Sequence, residues 1–175
     1  MSRPRNASPL RPLELLATLE RERVFYVVIG GFAELIHGSG APTSGIDITP
    51  SLREQNLEHL GAALRTLSAA RLDGKPLSLE REALLAEPVT ELGTTYGELK
   101  LVPVPAGTRG GYDDLRRRAT REPLGQGLRP QVAALPDVIR SLAALGREED
   151  AARLTRLRRL AELERELSRG LTIER

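Results

Sequence analysis

The sequence predicts an α/β (α+β) fold: a small mixed sheet flanked by helices, continued by a helical C-terminal segment. Three observations carry this. Residues 25–29, FYVVI, form an apolar β-rich run that breaks at Gly30-Gly31 and passes into a helical composition, the order of a buried strand feeding a helix. Residues 89–104 hold two strand-like runs on either side of Thr95-Tyr96-Gly97, a hairpin signal. From Pro136 onward the apolar residues recur at helical spacing.

Each element follows in turn. Residues 1–9, MSRPRNASP, are polar and proline-punctuated, and are expected as a flexible N-terminus. Residues 10–23 read as an amphipathic helix with Leu13, Leu16, Ala17 and Leu19 apolar. Strand 25–29 is expected to be buried on both faces, and residues 32–37 to make a helical turn or two. Residues 46–49 can form a short strand with Asp47 on one face and Ile46 and Ile48 on the other. Ser51 is a candidate cap for a helix carrying Leu57, Leu60, Ala63, Leu64 and Leu67. Residues 79–86 suggest a short helix, 89–94 and 98–104 the hairpin strands, 112–121 a helix with a basic end, and 129–134 a strand. Pro136 fits the first turn of a helix that Gly146 stops. Residues 148–168 give a long helix whose stripe runs Leu154, Leu157, Leu160, Leu163, Leu167. Its tail past Leu160 is expected to leave the core, offering a surface to a protein partner or a homodimer. The chain thus divides into 10–135, one domain, and 136–175, helices packed on it.

Composition bounds the function. The chain has 175 residues, 40% of them hydrophobic, enough for a real core. There is no cysteine, hence no disulfide framework and no thiolate metal site, which suits a cytoplasmic protein. The two histidines, His37 and His59, argue against a histidine-based metal site. Formal net charge is only +2, so the chain carries no large basic field. Arg116, Arg117, Arg118 and Arg121 read either as favourable charges at a helix C-terminus or as a phosphate-contacting edge. No apolar run is long enough for a membrane span and no signal-peptide core is present.

Chemistry concentrates in residues 24–50. A strand that passes through two glycines into a helix leaves free backbone N–H groups at the positive end of the helix dipole, which suits phosphate; the same pair also reads as a plain tight turn. Gly38-Ser39, Pro42-Thr43 and Asp47 follow at short spacing. With Gly30-Gly31, His37-Gly38-Ser39, Pro42-Thr43, Asp47 and Asn56, the stretch resembles the minimal nucleotidyltransferases of the DNA polymerase beta superfamily, in particular the bacterial group that includes type IV toxin–antitoxin nucleotidyltransferases. The resemblance continues through Tyr96-Gly97-Glu98-Leu99, Gly107-Thr108-Arg109-Gly110, Tyr112-Asp113-Asp114-Leu115 and Leu135-Pro136-Asp137-Val138-Ile139. It implies a nucleotidyltransferase fold, and a nucleotide held by Gly30, Gly31, Ser39, Thr43 and Arg147.

Four positions depart from the family pattern. The first carboxylate falls at Gly45, the third at Lys100, an arginine at Ala41 and a late-helix lysine at Leu142, while Arg147 and Asp150 match. Two-metal transfer needs several carboxylates around cations about 4 Å apart, and Mg²⁺ wants hard oxygen ligands. Asp47 alone remains. Glu98, two residues from Lys100 and displaced by roughly 7 Å along the strand, is the candidate substitute. Lys100 is expected either to fill the metal position and pair with Asp47, or to point to solvent from an edge strand. On the filled-site reading, Gly45→Asp with Lys100→Asp should restore Mg²⁺ binding.

Three functions follow. One is a catalytically impaired nucleotidyltransferase, a pseudoenzyme that binds a nucleoside triphosphate, RNA end or protein partner, with no cofactor expected. The second is an active, toxin-like enzyme transferring NMP to tRNA or protein, using Mg²⁺ on Asp47 with Glu98 or another acid. The third is a non-catalytic interaction module.

Overall fold

The computed structural model describes residues 8–173; the first seven residues of the expected flexible N-terminus lie outside the described residues. Helix α1 (Pro12–Arg21) starts with its proline in the first turn, where the missing N–H is no loss. Strand β1 (Tyr26–Ile29) leads straight into α2 (Gly30–Ile36), and β2 (Gly45–Pro50) follows. Helix α3 (Glu54–Thr66), strand β3 (Ala70–Arg71) and the short α4 (Arg81–Leu85) precede the hairpin β4 (Thr90–Thr94) and β5 (Gly97–Leu101). After α5 (Tyr112–Leu115) come β6 (Thr120–Arg121) and β7 (Gln131–Val132), then α6 (Leu135–Leu145). A 3-10 turn (Glu148–Asp150) runs into α7 (Ala151–Ile173).

The seven strands form one mixed sheet in the order β3-β4-β5-β2-β1-β7-β6. β2 pairs antiparallel with β1 and parallel with β5, and β1 pairs parallel with β7. Central β1 has Tyr26, Val27 and Val28 all buried, the burial on both faces expected of a strand inside a sheet. Ile46 and Ile48 alternate with Asp47, so the two isoleucines enter the core and Asp47 takes the other face. Helices α2 and α6 pack on one another, and α7 packs on α6. Gly146 ends α6 in the left-handed conformation, φ 62°, as the sequence indicates.

Several expectations are corrected. Phe25 lies outside β1 and is 59% exposed: it is the residue at which the chain enters the sheet. Ser51 does not cap α3, which begins after Arg53 without a side-chain cap. Asn56 does the joining there: it is buried, accepts from Phe25 N–H at 2.7 Å and donates to the carbonyls of Phe25 and Ser51. The helix expected over 112–121 is one turn long, and Thr120-Arg121 turns into an edge strand. Arg118 binds the buried Asp137, and Arg116 lies over Tyr112 and near Asp113. Lys100 is not on an edge strand, since β5 has β4 and β2 on either side. Beyond Leu157, which is buried, the stripe of α7 opens to solvent, with Leu167 70% and Leu171 71% exposed. Among the described residues no helix is long and apolar enough to cross a membrane.

Candidate functional site

The β1–α2 turn, the middle of β2 and β5, helix α6 and the start of α7 surround a cavity of about 400 Å³. Its polar wall holds Gly30, Gly31, Glu34, Asp47, Glu91, Lys100, Asp137, Arg147 and Arg153; Ile29, Val102, Leu115, Val138 and Leu142 supply apolar surface.

Gly30 makes the turn possible. Its φ is +65°, and a Cβ there would stand 2.5 Å from Asp47 Oδ2, so only glycine lets the carboxylate rest against the start of α2. Asp47 is held above the ordinary carboxylate range by burial, with the charges of Lys100 and Arg153 opposing that rise. A Cβ on Gly31 would meet only Thr43, at ordinary contact distance. Thr43 itself is spent locally, donating to the Gly45 carbonyl at 2.7 Å.

The β2–β5 register sets Gly45 opposite Glu98 and Asp47 opposite Lys100. A Cβ on Gly45 would lie 2.7 Å from the Glu98 main-chain oxygen and 2.8 Å from its Cβ. A side chain at 45 thus fits only if the strands shift apart. The restoring substitution Gly45→Asp would require the main chain to move, which a sequence reading had no way to see. The ammonium of Lys100 reaches Glu91 on β4 at 3.9 Å and is 39% exposed on its side chain; among the described residues it makes no ion pair within 4.0 Å of Asp47, and acts on it through space.

Of the other residues expected here, Arg147 lines the cavity with its Nε on Asp150 at 2.6 Å. Ser39 and Glu98 are not in its wall. Ser39 follows the far end of α2, its N–H bonded to the Glu34 carbonyl. His37 bonds the Ala133 carbonyl through Nε2 at 2.7 Å, tying that end of α2 to the segment after β7.

Two charged groups of the wall were not singled out from sequence. Glu34 on α2 is buried and grips Arg153 of α7 through both carboxylate oxygens. Arg153 also lies 3.6 Å from Asp150, so Glu34, Arg153, Asp150 and Arg147 form one chain of charge. An acid within the apolar run FAELI was the available signal for Glu34; Arg153 is hidden among the arginines of its helix. The second group is Asp137, buried and bound to Arg118 and Arg140. In sequence it reads as an ordinary helix-start acid.

The carboxylates do not suit a two-metal centre. Glu34 and Asp137 are engaged by arginines, Glu91 is next to Lys100, and only Asp47 remains. Among the described residues no three acidic or histidine side chains converge as metal ligands.

No protein-family model matches the chain, and no curated protein does. Solved structures do. A nucleotidyltransferase candidate from Thermotoga maritima matches at TM-score 0.55 and 18% identity, covering 84% of this chain and 93% of that one. The antibiotic-resistance factor ANT(2'')-Ia matches at TM-score 0.54 and 14% identity, covering 93% of each. At these identities the likeness is one of fold, and the fold is that of nucleotidyltransferases.

Proposed function

We propose that this nucleotidyltransferase-fold chain is a pseudoenzyme: it binds a nucleoside phosphate, free or at an RNA end, without two-metal transfer. The observation that carries the reading is the β2–β5 register, in which a lone carboxylate, Asp47, sits opposite an ammonium, Lys100, beside a position that a side chain enters only if the strands shift apart. Gly30 and Gly31 bring main chain without side chains to the cavity wall, where a phosphate could approach closely. Lys100 and Arg147 add positive charge. Burial raises the pKa of Asp47, and uptake of a proton there on phosphate binding would remove the like-charge conflict. No metal is needed for that neutralisation.

The test is thermal stability with each nucleoside triphosphate, with and without Mg²⁺ or Mn²⁺, since a ligand of the native state raises the melting temperature. A metal-independent rise is expected, larger at lower pH because binding takes up a proton at Asp47, whose pKa burial raises. A rise that appears only with metal overturns the proposal and favours the toxin-like enzyme, with Asp47 and Glu98 as its acids and NMP transfer to tRNA or protein as the next assay. No rise at all favours a protein-interaction role.

A further inference from the structure

At the start of β1, the end away from Gly30, the surface is aromatic and cationic. Phe25 is the one strongly exposed aromatic among the described residues, in a chain with only two phenylalanines and three tyrosines. Its main chain is pinned. The N–H donates to Asn56 Oδ1 at 2.7 Å, and the carbonyl accepts from Asn56 Nδ2 and from the Ser51 N–H, each at 3.0 Å. The ring is thus held out to solvent by a fixed backbone, so little ordering is left to a ligand that covers it. It stands in a cavity of about 320 Å³ with Arg23, Tyr26, Arg121 and Gln131, where the one acid, Glu20, accepts from the Tyr26 hydroxyl at 2.8 Å. Arg23 holds φ 58° just past α1, a left-handed position where glycine is the usual residue; a long cation is kept there against backbone preference. A second cavity, of about 210 Å³, is lined by Pro50 and Ser51, the residues that pair with Tyr26 and Phe25. It holds Tyr112 with Arg53 and Arg109, and its one acid, Asp113, is shared by Arg53 at 3.8 Å and Arg116 at 3.6 Å. Arg81, in the same wall, is offset by its neighbours Glu80 and Glu82. Arg81 aside, the two cavities set four arginines against two acids, both already engaged.

We infer that this face binds a single-stranded nucleic acid, with a base stacked on Phe25 and the flanking phosphates on Arg23 and Arg121. Guanidinium forks match phosphate oxygens. An open aromatic ring beside them is the combination by which unpaired strands are gripped, because every base has a face to stack. An apolar protein segment would use the ring and leave the arginines unmatched; a duplex would use the arginines and hide its base faces. The small net charge of the chain does not oppose this, since exposed charges act over a screening length of about 8–10 Å and not as a whole-molecule sum. The five steps from Phe25 to Gly30 span about 17 Å at roughly 3.3 Å each, so the face is distinct from the cavity at Gly30, and the inference stands whether or not a nucleotide binds there.

The experiment is fluorescence anisotropy of the full chain with labelled oligouridylate of about twelve residues, a length such sites cover, without metal and across about 50–200 mM salt. Saturable binding is expected, weakened about tenfold by Phe25→Leu with the salt slope unchanged, because stacking releases no counterions. Arg23→Gln with Arg121→Gln should instead flatten the log–log salt slope by about 1.4, two phosphate contacts at about 0.7 each for a single strand. All three side chains are exposed, and circular dichroism checks that the variants fold. Excess UTP should leave the strand bound. Oligodeoxyuridylate run alongside identifies the source: tighter binding of one strand names RNA or DNA, and equal binding keeps both in the class. An affinity unmoved by Phe25→Leu overturns the inference, as does a blunt duplex that binds as tightly as the single strand. Displacement by UTP also overturns it, placing the strand in the Gly30 cavity and leaving the nucleotide reading intact. Absence of binding by every oligonucleotide overturns it and leaves the face to a protein partner. Should a variant not fold, the duplex and UTP comparisons on the wild type decide.

Discussion

Asp47 shows how one side chain records its surroundings. Burial raises its pKa and the cations nearby only partly oppose this, so the ionised form is penalised in the folded chain. The folded pKa therefore lies above the unfolded value of about 3.9; the native state binds the proton more tightly, and stability falls as pH rises through the folded pKa. Asp47→Asn should consequently raise the melting temperature at pH 7 and leave it nearly unchanged below about pH 4, as thermal denaturation across pH would show. Gly45 makes a second residue-scale prediction. Gly45→Ala puts a methyl group 2.7 Å from the Glu98 carbonyl oxygen, and urea denaturation should show a loss of about 1–3 kcal/mol, the usual cost of overpacking.

Among the elements, α2 and α7 are linked by the Glu34–Arg153 pair, in which the acid is buried and the base partly so. Arg153→Met would strand a buried carboxylate and should cost about 3 kcal/mol, whereas adding Glu34→Leu should recover much of that; a double-mutant cycle in denaturant measures both. This tie was not legible beforehand, because the sequence shows charge alternation along α7 but not which arginine turns inward. The strand–glycine–helix order of β1 and α2, the β4–β5 hairpin and the α6 stop at Gly146 were legible, since each is written in local chemistry: β-rich apolar runs, a tight turn, a left-handed cap. Tyr112 to Arg121 misled for the converse reason. Arg118 is engaged by the distant Asp137 and Arg121 by the Arg129 carbonyl across the edge strands, and tertiary demand overrides propensity.

For the whole molecule, the sequence made the fold readable and the closure of the site unreadable. Gly45 and Lys100 could be identified as unusual; that Lys100 is the register partner of Asp47, and that Gly45 abuts main chain, depends on β2 and β5 lying parallel and adjacent. Pairing across a sheet is not written in either strand alone. The tail of α7 is the remaining large-scale feature. Its leucines at 163, 167 and 171 are exposed, so a chain cut after Glu162 gives up little core packing, and a concentration-dependent fall in melting temperature on shortening would report a lost subunit contact. Sedimentation velocity on the full and shortened chains separates the two occupants the tail could serve: a dimer lost on shortening assigns it to self-association, and a monomer in both assigns it to a different protein partner.

The contact at Gly45 has a consequence for how this sequence can change over generations. A clash between side chains can be relieved by a second substitution elsewhere, but the atom met at position 45 is a backbone oxygen, which every amino acid carries. No point mutation at Glu98 removes it. With these strand positions, no single substitution places an acid at 45 without moving the main chain.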